Sequence, residues 1–244
     1  MWARTVVTLV AVLLAASCGG DGSSAASEPH QSTTASPTLL EIPENGTDLH
    51  PAGPPLRAGT YRVPSGPWSI VDYTITIPKG WRGHNQHYLS KHEDGEVDGD
   101  ESDSLVIYPV LVDKIFADPC PGQAGPTVAV GPKVNDLIEA LQEQPGPVTS
   151  EPVETTIGGL PATRIDLKIP KGADLTSCSL SPGLQIWYSA PSDKYYVLMP
   201  GYTARIYVVD VDGERQVFLT QHGPATSDKD LRELQSMLDS IRID

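Results

Sequence analysis

The chain has few cysteines, few basic groups and, after its N-terminus, no long apolar run. Each shortage removes a class of protein. Only three of its 244 residues are Cys, and no two stand in a Cys-x-x-Cys spacing, so neither a redox dithiol nor a thiolate zinc site is expected. Lys and Arg total 17 against 31 Asp and Glu, a formal charge of −14, which argues against nucleic acid as a partner. After the N-terminus, the apolar runs are strand-length and broken by charge, too short to span the roughly 30 Å of a bilayer's hydrocarbon core. Gly-x-Ser-x-Gly, His-Glu-x-x-His, a phosphate loop and Gly-x-Gly-x-x-Gly are all missing. The reading is therefore of a non-enzyme with no cofactor, no metal and no catalytic residue to name.

The N-terminus carries the clearest signal. Arg4 precedes an apolar run from Thr5 to Ala16, and Ala15-Ala16-Ser17 leads into Cys18. A short apolar stretch with one basic residue ahead of it and small residues behind is the layout of a secretory signal. Its ending resembles the bacterial lipobox, although Ala15 stands where Leu is commonest. This resemblance implies cleavage after residue 17, lipidation of Cys18 and retention at the extracytoplasmic face of the cell membrane through the anchor. Ser, Thr, Gly and Pro dominate the following residues, and such composition buries too little apolar surface to offset chain entropy. Residues 18–66 are accordingly expected to be the lipidated cysteine and a disordered tether, and 67–244 one domain. Cys120 and Cys178 are the remaining thiols, and an even pair in an exported chain predicts a disulfide.

Within 67–244, alternation predicts strands over 69–78, 87–91, 104–115, 153–157, 160–169, 183–189, 195–199, 204–211 and 214–222. Gly158-Gly159 and Asp212-Gly213 are two-residue hairpin signals. Val134, Leu137, Ile138 and Leu141 fall at helical spacing. Ser227 opens a second helix with the stripe Leu231, Leu234, Leu238 and Ile241, to which Met237 adds. Many hairpins and two helices predict an α+β fold, an antiparallel sheet covered by helices. Tyr73-Thr74-Ile75-Thr76-Ile77-Pro78-Lys79-Gly80-Trp81 resembles the opening strand of PsbP-like domains, and the final capped helix with Ser240-Ile241-Arg242-Ile243 is similar to their close. Actinobacterial envelope lipoproteins share this arrangement. The resemblance implies an α-β-α sandwich and no common catalytic residues.

Two clusters remain as candidate sites. Trp187, Tyr188, Tyr195 and Tyr196 crowd two neighbouring strands and offer rings for a glycan or apolar ligand, or for an envelope protein; their other use is core packing. His84, His87 and His92 precede the acidic run 93–103, but Leu105 stands where a calcium loop needs its bidentate carboxylate. That run is expected to be a solvated loop without a divalent site. The leading expectation is a binding or accessory domain, as PsbP-like domains are accessory subunits of membrane complexes; the rival is an envelope hydrolase acting on wall or lipid components.

Overall fold

A computed structural model describes residues 38–44, 53–92, 102–120, 125–176, 178 and 183–244. Among them, two helices stand against sixteen strands. Cys18 and the acidic run 93–101 lie outside the described residues.

One four-stranded sheet orders β1 (Leu40–Glu41), β2 (Gly59–Val63), β3 (Tyr73–Ile77) and β16 (Arg242–Ile243). The large sheet runs β10 (Val153–Ile157), β11 (Leu160–Lys168), β14 (Thr203–Val211), β15 (Glu214–His222), β6 (Leu105–Val110), β5 (Tyr88–Lys91) and β4 (Arg82–His84), with β9 (Val148–Thr149) also on β11. A second four-stranded sheet orders β13 (Lys194–Leu198), β12 (Leu184–Ser189), β7 (Lys114–Phe116) and β8 (Thr127–Ala129). Only β1 and β2 pair in parallel among these named strands. The turns follow backbone chemistry. Gly158 and Gly159 sit at φ 62° and 87°, and Asp212 and Gly213 at 53° and 88°, the left-handed pair that a tight hairpin of right-twisted strands needs.

The central strands of the large sheet are buried on both faces, which explains the unbroken apolar run Ile206-Tyr207-Val208-Val209 on β14. Tyr207, Val209, Phe218 and Ile107 pack with Tyr61, Tyr73, Ile75 and Ile77 of the first small sheet. Ile206, Val208, Val217 and Leu219 pack with Ile186, Trp187, Tyr196 and Leu198 of the second. The helices, α1 (Val134–Glu143) and α2 (Asp228–Asp239), contribute to one core each: Leu137, Ile138 and Leu141 to the second, Leu234, Met237 and Leu238 to the first. Ser227 caps α2 by accepting from the Asp230 amide at 3.2 Å, as its sequence position predicts.

This arrangement overturns the expected α+β fold with its helix-covered sheet, and with it the α-β-α sandwich that the PsbP-like resemblance implies. The protein is mostly β, with strands rather than helices supplying much of what covers each face of the large sheet. The folded unit also reaches further toward the N-terminus than residue 67. Tyr61 and Val63 of β2 and Ile42 after β1 are buried core residues in the stretch read as tether.

Candidate functional site

The four rings singled out in the sequence come together as two cross-strand pairs on β12 and β13. Trp187 opposes Tyr196, and Tyr188 opposes Tyr195. Successive strand residues face opposite ways, so the two pairs occupy opposite faces of the sheet. Trp187 is 1% exposed and stacks on Tyr196, 7% exposed, with ring centres 4.3 Å apart. Tyr196 donates from its hydroxyl to Gln221 Oε1 at 2.7 Å, and burial pushes its phenol far up the pH scale. This pair is core.

The other pair faces outward. Tyr195 is 43% exposed, stacks over buried Phe116 at 6.0 Å and lies 5.0 Å from Tyr188. The Tyr188 hydroxyl donates to Asp193 Oδ1 at 2.9 Å, and this carboxylate raises the phenol's pKa. Lys114 opposes Tyr188 on the same face. Chemically, the pair is a fixed aromatic step with a hydroxyl, a carboxylate and an ammonium at its edge, the kind of surface on which the apolar face of a sugar ring stacks.

A side chain that the sequence reading passed over supports this step. Gln144, just after α1, is buried and donates Nε2 to the carbonyls of Phe116 at 2.9 Å and Ile186 at 2.8 Å. It thus ties β7 to β12 directly behind the rings. A polar residue closing an amphipathic helix looks like a surface position, and only the tertiary fold reveals its use.

The histidines divide. His87 stacks on Trp68 at 4.1 Å, while His84 packs against Tyr88 at 4.4 Å. Burial, with His84 adding a smaller effect, lowers the His87 pKa to about 4, opposed by the hydrogen bond to the Asn85 carbonyl. His92 stands apart, at φ 60°, between Asp103 at 3.8 Å and Asp230 at 3.7 Å. Beside it, Lys91 pairs with Asp230 at 2.6 Å and Glu233 at 2.7 Å, and Glu233 also accepts from the Trp81 indole at 2.7 Å. Hence the Trp of the Ile77-Pro78-Lys79-Gly80-Trp81 segment is a structural anchor for α2. Among the described residues, no three His, Cys, Asp or Glu side chains converge as metal ligands.

Cys120 and Cys178 are joined as a disulfide, with Cα atoms 4.6 Å apart across 58 positions of sequence. Cys178 belongs to the second core and Cys120 packs against it. Among the described residues, no helix is long and apolar enough to cross a membrane.

No family model matches the chain, and neither does any curated protein. Two solved structures are similar at a distance. One, from Bacteroides thetaiotaomicron, is 9% identical over 78% of this chain and 49% of that one, with a TM-score of 0.33. The chain therefore spans about half the length of that protein. The other is LpqN, described as involved in cell envelope biogenesis of Mycobacterium tuberculosis. It is 13% identical over 78% of this chain and 89% of that one, with a TM-score of 0.35. The chain is thus similar to these two proteins at low identity and is assigned to no family.

Proposed function

We propose that the protein is an exported lipoprotein of the cell envelope, acylated at Cys18, whose β-rich domain binds a ligand and performs no catalysis. The observation that carries the reading is the short apolar run ending in Ala15-Ala16-Ser17-Cys18. The Cys120–Cys178 disulfide supports it, because such bonds persist in oxidising compartments outside the cytoplasm. Two acyl chains on one cysteine hold a protein stably at a bilayer, where a single chain does not.

The binding face in this reading is the outward pair Tyr188 and Tyr195, and its ligand class is a glycan. Trp187 and Tyr196, also candidates from the sequence, are assigned to the core beneath. The experiment is a glycan-binding titration of the full chain followed by tyrosine fluorescence, with Tyr195→Ala and Tyr188→Phe beside it. The reading requires saturable binding that Tyr195→Ala weakens at least tenfold. Equal affinity in the Tyr195→Ala chain would take the ligand elsewhere.

A further inference from the structure

The first small sheet and α2 cover only part of their face of the large sheet. Cross-strand partners share a face, so the register shows what occupies the rest. Arg164, Asp166 and Lys168 alternate along β11 on this face, opposite Tyr207, Arg205 and Thr203 of β14. At its outer edge, Val153 opposes Arg164 and Val148 opposes Lys168. Those valines are 43% and 59% exposed, and Lys168 is exposed beside them.

The charge of this area runs against that of the molecule. Arg205 grips Asp166 with Nε at 3.0 Å and Nη2 at 3.1 Å, while Arg164 Nε stands 3.6 Å from the same carboxylate. One acid thus sits between two guanidinium groups, with Lys168 next along β11 on the same face, in a chain whose formal charge is −14. His222, opposite Thr203, feels Arg205 and Lys168 as well as Asp166, and its pKa is lowered by burial first and those cations next. The Asp166 carboxylate holds the Arg205 guanidinium through two hydrogen bonds, and Arg164 lies within ion-pair distance of the same group.

We propose that this face rests on an anionic phospholipid surface, with Arg164, Lys168 and Arg205 against phosphates and Val148 and Val153 among the headgroups. Charge complementarity selects the partner: an acidic domain is repelled by an anionic bilayer except through a cationic face. Exposed valines beside the cations favour a lipid surface over an acidic peptide, since apolar groups gain by entering the headgroup boundary. The proposal rests on the membrane anchor of the preceding section, because so small a cationic area holds a bilayer only when a tether keeps the local concentration high.

The test uses the full acylated chain reconstituted in vesicles, carrying Val153→Cys labelled with an environment-sensitive dye. Glu154→Cys, on the opposite face of β10, is the control position. With about a third phosphatidylglycerol in phosphatidylcholine, the dye at 153 shifts to the blue and the dye at 154 does not. The shift disappears in pure phosphatidylcholine, in about 0.5 M salt, and in the chain that also carries Arg164→Gln and Lys168→Glu. A dye at 153 that stays in water on anionic vesicles overturns the proposal. So does a shift produced by polyglutamate and not by vesicles, which would assign the face to an acidic protein. Absence of acyl chains would sink the anchor reading separately. The unacylated labelled chain is then held on anionic vesicles by an N-terminal His-tag and a nickel-chelating lipid, and an unshifted dye there overturns the face as well.

Discussion

The imidazole of His87 lies flat on the indole of Trp68, with ring centres 4.1 Å and planes 20° apart. Its pKa of about 4 makes this stack sensitive to acid. The folded state keeps His87 neutral while the unfolded chain takes up a proton near pH 6.5. Its contribution is therefore complete above pH 6.5 and is lost as pH falls from there toward 4. Over that window the loss approaches roughly 3 kcal/mol. Urea unfolding at a series of pH values should show it, and His87→Gln should flatten most of the slope. His222, whose pKa burial also lowers, adds slope of the same sign. An unchanged slope in His87→Gln would disprove the assignment.

The two ring pairs should separate stability from binding. Trp187→Ala empties a fully buried site and should cost about 3–5 kcal/mol. Tyr195→Ala removes a ring with one face in solvent and should cost about 1 kcal/mol, while carrying the loss of glycan affinity. Denaturant midpoints of the two variants, measured side by side, check the contrast. Comparable losses of stability would make Tyr195 a core residue and remove the binding face.

Gln144→Leu should destabilise by about 1–3 kcal/mol although it adds apolar surface, because it strips a donor from two carbonyls. Hydrogen exchange of β7 and β12 amides should accelerate most. A stabilised variant would mean that the amide does not support the strands behind the rings.

Reduction of Cys120–Cys178 should lower stability by about 4 kcal/mol in the chain-entropy account of a 58-residue separation. Thiol labelling of the denatured, unreduced chain checks the bond itself. Neither cysteine should label, and both should do so after reduction.

How far the sequence revealed this fold depends on the range of the signal. The hairpin of β14 and β15, the Gly158-Gly159 turn and the Ser227 cap are local patterns, and each is where alternation and turn chemistry put it. β1, β4, β8 and β9 are two or three residues long, below the length at which alternation can be seen. β2 lies among Gly and Pro that read as tether, yet Tyr61 and Val63 are buried. The single strand expected over 104–115 is two, β6 and β7, in different sheets. The layering itself was lost because a doubly buried strand looks the same whether a helix or another sheet covers it.

The candidate site was legible in part for the same reason. Adjacent aromatic residues on paired strands had to fall on opposite faces, so one pair in and one pair out follows from spacing alone. Which pair faced the core was decided by the long-range placement of β7 and α1. The cationic face was invisible in sequence, because Arg164, Lys168 and Arg205 are brought together only by the register of β11 with β14.

Export with acylation at Cys18 is checked by mass spectrometry of the mature N-terminus. The N-terminal peptide of protein taken from native membranes should begin at Cys18 and carry the added mass of a diacylglyceryl thioether. A mature N-terminus elsewhere, or an unmodified Cys18, would contradict it.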